Sequence, residues 1–308
     1  SFPALASLDA RPNNLPTQLT SFVGREAELR TACDLLSANR LVTLTGPGGT
    51  GKTRLSLQVA AAGVDDYPDG VFFVPLETVR DPALVLSRIA GEIGLDETGA
   101  RSARDILVDW LGQKEALFVL DNLEQVLDVG PIVADLLRAA PGLKVLATSR
   151  APLRISGEQE FPVPGLPVPP DPGPLGGYER ALFADAAALD PARLSTYEAV
   201  RLFIARARAV RPDFAVTNEN APAVAAICAR LHGMPLAIEL AAARVKLLGP
   251  DAILARLDHQ LSVLATGARD LPARQQTLRG AIAWSYDILE EPQRRLLDRL
   301  SVFIGGFD

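Results

Sequence analysis

Apolar positions along the chain fall into two regimes. Short unbroken apolar or β-branched runs occur at residues 41–45 (LVTLT), 70–76 (GVFFVPL), 116–120 (ALFVL, ending on Asp121), 143–147 (LKVLA) and, as an edge, 158–163 (EQEFPV). Such runs predict strands buried on both faces, hence a parallel sheet covered by helices. Between them lie helix-forming stretches: one with apolar positions at Leu29, Ala32, Leu35 and Leu36, one over 54–62, and one over 83–93 in which Asp81 is expected to cap and Pro82 to open the first turn. Prolines crowd residues 162–174 and alanines 181–189, which marks a boundary with an insertion. Beyond it the strand signals stop. Ser195 with Glu198 reads as a capping box, and Val200, Phe203, Ile204 and Ala207 recur at helical spacing. Further helices are expected over 222–231, 236–248 and 252–261. Residues 1–20, with prolines at 3, 12 and 16, have neither period and predict an extended linker.

The first strand runs into GPGGTGKT, residues 46–53, which satisfies G-x-x-x-x-G-K-[ST] without a mismatch. Glycines at 46, 48, 49 and 51 let the backbone curl with its amides pointing at an anion, and the helix that follows presents its N-terminus to the same place. The expected nucleotide-contacting set is Gly46, Pro47, Gly48, Gly49, Thr50, Gly51, Lys52, Thr53 and Arg54, with Lys52 reaching the β- and γ-phosphates and Thr53 offering its hydroxyl to Mg²⁺. Asp121, at the carboxyl end of a buried strand, is the expected second holder of Mg²⁺. The residue after it is Asn122, which cannot take a proton, and Glu124 is the nearest alternative base, so hydrolysis is expected to be slow. Thr148-Ser149-Arg150 ends the next strand, where ligands of parallel sheets gather, and the Arg150 fork can bond two phosphate oxygens.

Composition narrows the classes. The 308 residues carry a net charge of −6, which argues against electrostatic nucleic-acid binding by the chain as a whole. Cys33 and Cys228 have no partner spacing, so no disulfide framework or zinc site is indicated and a reducing cytoplasm is the expected location. The longest apolar span, 223–243, is interrupted by Arg230, His232 and Glu239, so no membrane helix is expected. Lacking a signal peptide and an initiating methionine, the sequence reads as a fragment.

FVGRE, residues 22–26, placed about twenty residues before the phosphate loop, resembles the signature of the STAND class of P-loop ATPases, which includes the NB-ARC modules and the bacterial AAA-type signalling ATPases linked to transcriptional regulators and cyclases. The resemblance implies a three-layer α/β P-loop domain (21–165), a small all-helical domain (196–265) and the first part of a winged-helix domain (266–308), with residues 1–20 as linker and 166–195 as insertion. It implies adenine contacts from Val23 and Arg25, a γ-phosphate contact from Arg150, and, through Gly233-Met234-Pro235, a Pro235 that packs on adenine. The implied function is an ATP/ADP switch with slow Mg²⁺-dependent hydrolysis, in which Lys52, Asp121, Asn122, Glu124 and Arg150 form the catalytic set. Expected partners are an adenine nucleotide, other domains of a longer chain and a nucleotide-dependent homo-oligomer of the full-length protein, with no membrane and no direct nucleic-acid contact. The family's ADP lock, a winged-helix histidine, has no counterpart in His232 or His259, so fast ADP exchange is expected. An ADP-holding scaffold with negligible turnover is the alternative, and a small-molecule kinase fits less well because nothing resembles an acceptor site.

Overall fold

The computed structural model describes residues 11–95, 101–170, 190–257 and 291–300, in two units. The first comprises residues up to Gly46 and Thr50–Pro164. Its sheet has five parallel strands, β1 (Leu41–Thr45), β2 (Val71–Pro75), β3 (Ala116–Asp121), β4 (Leu143–Ser149) and β5 (Glu158–Pro162), in the order β2-β3-β4-β1-β5. Each run expected to be a strand is one.

Alternation along the strands divides the core into two layers. On one face Val42, Leu44, Leu117, Val119 and Leu146 pack with Leu29 and Leu36 of α1 (Glu26–Ala38) and Leu55 and Val59 of α2 (Lys52–Ala62). On the other, Leu41, Phe118, Leu120 and Val145 meet Val85 and Ile89 of α3 (Leu84–Ile93), Leu107 and Leu111 of α4 (Ala103–Leu111), and Val133 and Leu136 of α5 (Gly130–Ala139). Every residue of β1 and β3 is buried, as helices on both faces require. With β4 between β1 and β3, the carboxyl ends of these three strands form one edge of the sheet, from which the phosphate loop, Asp121 and the Thr148 segment emerge.

Residues 11–15 are extended and paired. The Val71 amide donates to the Pro12 carbonyl at 3.0 Å. The Asn14 side chain closes a two-point contact with the Phe73 backbone: its Oδ1 accepts from Phe73 N at 2.6 Å and its Nδ2 donates to Phe73 O at 2.9 Å. The outer edge of β2, which would otherwise expose backbone donors and acceptors, is thereby partly covered.

The second unit comprises Pro47–Gly49 and the chain from Gly165 onward. Its helices are α6 (Pro191–Leu194), α7 (Glu198–Val210), α8 (Ala221–Arg230), α9 (Pro235–Ala242), followed by a 3₁₀ turn at Ala243–Lys246, and α10 (Pro250–Leu257), with a further helix at Glu291–Leu300. Phe203 stands 5.9 Å, ring to ring, from Phe214, and Arg206 Nε donates to Glu239 Oε1 at 2.8 Å. Among the described residues no helix is long and apolar enough to cross a membrane.

Two local expectations are corrected. Asp81 caps a turn ahead of α3, accepting from Ala83 N at 2.9 Å, and the helix starts at Leu84 with Ala83 at its N-cap. Ser195 belongs to the end of α6, where its hydroxyl donates to Pro191 O at 2.7 Å, and Tyr197 occupies the N-cap of α7. In both places a short preceding turn takes the capping side chain first. The end of the helix expected over 252–261, the alanine-rich part of the insertion, His259 and most of residues 266–308 lie outside the described residues.

Candidate functional site

The phosphate loop is shaped by backbone that only glycine adopts freely. Gly46, Gly49 and Gly51 have φ of 143°, 87° and 89°. A Cβ at Gly46 would also stand 3.1 Å from the Val163 carbonyl. Lys52 opens α2 and is 7% exposed; its Nζ donates to the Gly46 carbonyl at 2.7 Å, folding the side chain back over the loop. Burial pulls its pKa below the ordinary lysine range, with Glu124 opposing that shift and Arg150 adding to it. Pro47 is exposed, while Gly48 and Gly49 are half-buried. Within the second unit, the Leu236 amide donates to the Gly49 carbonyl at 3.2 Å.

Asp121 ends β3 and is 5% exposed. Its Oδ1 accepts from Thr53 Oγ1 at 2.8 Å and from Thr148 Oγ1 at 2.6 Å. Burial pushes the Asp121 carboxyl above the usual carboxylate range, against the pull of those two hydroxyls. Asn122 follows in the left-handed region at φ 66°, its amide donating to the same Thr148 hydroxyl at 3.0 Å. That turn leads into a 3₁₀ segment, Leu123–Gln125, which buries Glu124. Glu124 Oε1 lies 3.4 Å from Arg150 Nε and accepts from Asn122 Nδ2 at 3.3 Å; its buried Oε2 has no hydrogen-bond partner among the described residues.

The remaining expected residues are placed less directly. Arg25 is 2% exposed and its guanidinium donates to the Thr50 carbonyl in the phosphate loop and to the Pro164 carbonyl after β5, both at 2.7 Å, with Glu28 at 3.9 Å. The guanidinium is therefore committed to backbone, and Arg25 itself sits at φ 65°, a strained position for a side-chain-bearing residue. Arg54 turns toward the Thr20 and Ser21 carbonyls, at 2.7 and 3.0 Å. Val23 is half-buried in the turn before α1, and Pro235 opens α9. Gly233 is demanded by packing: φ is 65°, and a Cβ there would fall 1.9 Å from the Leu166 carbonyl.

No family model matches the chain. It is 40% identical, over 291 residues covering 94% of this chain and 67% of the other, to an uncharacterised protein of Mycobacterium tuberculosis. Over 275 residues, 89% of this chain, it is 42% identical to a protein of the same species named an HTH-type transcriptional regulator, of whose length the chain spans 28%. A STAND protein with a tetratricopeptide repeat sensor from Pyrococcus horikoshii superposes with a TM-score of 0.41 at 18% identity, over 94% of this chain and 35% of that one. The chain belongs to the family of these mycobacterial proteins.

In this family member the residues at the strand ends fit the group that the loop motif implies. The loop has the positive-φ glycines that a backbone phosphate cradle requires, and a partly desolvated lysine folds over it. Mg²⁺ is commonly bound by one or two protein oxygens plus phosphates and waters. One carboxylate and one hydroxyl in mutual contact, Asp121 and Thr53, are such a set, and among the described residues no larger cluster of acidic, histidine or cysteine side chains competes with it. Thr148, whose hydroxyl joins this set, was named in the strand-end segment but not singled out as a site residue. The signal was present in the strand register, because Leu120 pairs with Ala147 and the next step along both strands brings Asp121 to Thr148.

Proposed function

We propose that this chain is the nucleotide-switch module of a larger regulatory protein, binding Mg²⁺-ATP and ADP and hydrolysing ATP slowly. The observation that carries the reading is the contact of Thr53, Asp121 and Thr148 beside the loop over which Lys52 folds. In use, Lys52 exchanges its bond with the Gly46 carbonyl for phosphate oxygens, and Thr53 and Asp121 hold Mg²⁺, which supplies charge neutralisation for the phosphates. Arg150 at the end of β4 is the proposed reader of the third phosphate, and Val23 and Pro235 the proposed adenine contacts. The domain frame proposed is a nucleotide-binding domain over 21–165, a helical domain over 196–265 and the start of a winged helix from 266. Since a relative named as a transcriptional regulator is far longer than the chain, the proposed partners are further domains of such a protein, a transcription-linked output among them, and copies of itself when ATP is bound.

The second reading, an ADP-holding scaffold, is favoured by one feature. Asn122 occupies the place where an acid would activate water, and Glu124 lies against Arg150. Identification of the co-purifying nucleotide together with steady-state phosphate release separates the readings. Slow, Mg²⁺-dependent release lost in Lys52→Ala supports the switch; tightly held ADP with no release supports the scaffold; transfer to an added acceptor would favour a kinase. Lys52→Ala should weaken ATP by roughly tenfold or more, the loss of a charge-assisted contact of about 1.5–3 kcal/mol, and unchanged affinity by calorimetry refutes the phosphate role.

A further inference from the structure

Glu124, expected from the sequence as the alternative base, has no contact with phosphate or Mg²⁺ in the proposed reading. It is 6% exposed, brings a second carboxylate close to a group that is to receive several negative charges, and carries an Oε2 with no hydrogen-bond partner among the described residues. A buried charge in that position is unfavourable unless something opposes it. The group that does so is Arg150, whose Nε lies 3.4 Å from Oε1, with side-chain exposures of 16% for the arginine and 3% for the glutamate. Asn122 Nδ2, held by the left-handed turn after Asp121, fixes the same oxygen at 3.3 Å. Lys52 and Asp121 are the other charged neighbours, and both have hydrogen-bond partners of their own, in the Gly46 carbonyl and in the Thr53 and Thr148 hydroxyls.

We infer that Glu124 is a positioning residue that sets the preference between nucleoside triphosphate and diphosphate by competing with the third phosphate for Arg150. The inference rests on the proposed nucleotide site and adds to it a determinant of specificity. A triphosphate must draw Arg150 away from Glu124; a diphosphate, which does not reach Arg150, binds with the pair intact. An affinity that depends on a minor conformer is reduced by the fraction of time that conformer exists, so a pair closed about nine-tenths of the time weakens ATP roughly tenfold and leaves ADP untouched. Competition of this kind holds the module in its ADP form until ATP is in excess.

The test is a double-mutant cycle on ATP and ADP dissociation constants, measured in Mg²⁺ by displacement of a fluorescent ADP analogue from the full chain. Glu124→Gln, nearly isosteric, is expected to raise the ATP-over-ADP preference about tenfold, and to leave that ratio unchanged when Arg150 is already alanine. Glu124→Asp keeps the charge but withdraws it from Arg150 and is expected to raise the ratio as well; it also serves if Glu124→Gln does not fold. An unchanged ratio with turnover abolished would make Glu124 a water-activating base and overturn the inference. An equal rise in the Arg150→Ala background would show general charge repulsion and overturn it too. Lys52→Ala run alongside keeps the two levels apart: lost nucleotide binding there upholds the site whatever the ratio does, and unchanged binding removes the site and the inference together.

Discussion

Replacing Arg25 by lysine distinguishes a side chain that touches adenine from one that fastens the phosphate loop. The guanidinium spans two carbonyls 114 residues apart in sequence, Thr50 and Pro164, each at 2.7 Å, inside a site that leaves it 2% exposed. A hydrogen bond to a charged group contributes about 1.5–3 kcal/mol. Lysine keeps the charge but has a single nitrogen, so it can hold one carbonyl well and loses about one such bond. Alanine would remove both bonds, about 3–6 kcal/mol at that rate, a large part of the roughly 5–15 kcal/mol that stabilises a domain, so lysine is the cleaner probe. The expected outcome is a lower denaturation midpoint of the first unit and a roughly tenfold weaker grip on phosphate, since a misplaced Thr50 carbonyl shifts the loop that carries it. Calorimetric titration with ATP and with inorganic tripolyphosphate checks the cause. If Arg25 works through the loop, both ligands weaken to the same degree. Weaker ATP with unaltered tripolyphosphate and unaltered stability would refute the clamp and return Arg25 to the adenine pocket.

Other outcomes follow from the same geometry. Asp121→Asn should spare nucleotide affinity without Mg²⁺ and abolish the added affinity that Mg²⁺ confers; a surviving metal effect in calorimetry would remove Asp121 from the metal shell. Gly233→Ala places a methyl against the Leu166 carbonyl at a positive φ and Gly165→Ala does the same to the His232 carbonyl from the other side, so each should cost about 3 kcal/mol or more, read as a lowered thermal midpoint of the helical unit; unchanged midpoints would contradict the close passage of the two segments. Cys228 is fully buried, and burial pushes its thiol from 9.0 up to about 12. It should resist thiol reagents at pH 8 until the protein unfolds, and modification as fast as in urea would refute its burial. Because this folded pKa is raised, its contribution to stability is complete below pH 9 and is lost as pH rises from about 9 to about 12, which denaturation at stepped alkaline pH measures.

The strands were legible because their burial is written in consecutive residues. Each of the central strands needs apolar side chains on both faces, and a run such as ALFVLD can do little else. The phosphate loop was legible for a related reason, since positive φ at Gly46, Gly49 and Gly51 leaves few residues to choose from. Helices α4 and α5 escaped the reading although they carry core residues, because each is short, nine and ten residues, and shows less than three turns of period. Caps failed where two nearby turns offered rival acceptors: Asp81 and Ser195 bond within two to four residues, and local spacing does not say which turn wins. Least legible were the ends of long polar side chains. Arg25, Arg54 and Asn14 reach 25 to 139 residues along the chain for their carbonyls, and a motif names such a residue without saying what its tip touches.

That last class bears on how the site is held. A phosphate loop gains its selectivity from backbone amides whose direction is set by neighbouring backbone, so whatever grips that backbone is part of the binding device. Here three tethers converge on the loop and the strand end that feeds it, two of them from distant segments. Lys52 holds the Gly46 carbonyl from the helix side, Arg25 holds Thr50 from the turn before α1, and the Val163 amide, just after β5, holds the Thr45 carbonyl at the end of β1 at 2.8 Å. Only the first of these bonds has to open for phosphate to be grasped, because Lys52 is needed at the ligand. The other two can persist through binding and release, which keeps the loop formed in the empty state and lowers the ordering cost of each nucleotide exchange. A switch of the proposed kind, one that reports ATP against ADP, would depend on such preorganisation. In that proposal the discrimination rests on Arg150 and on the Glu124 carboxylate paired with it.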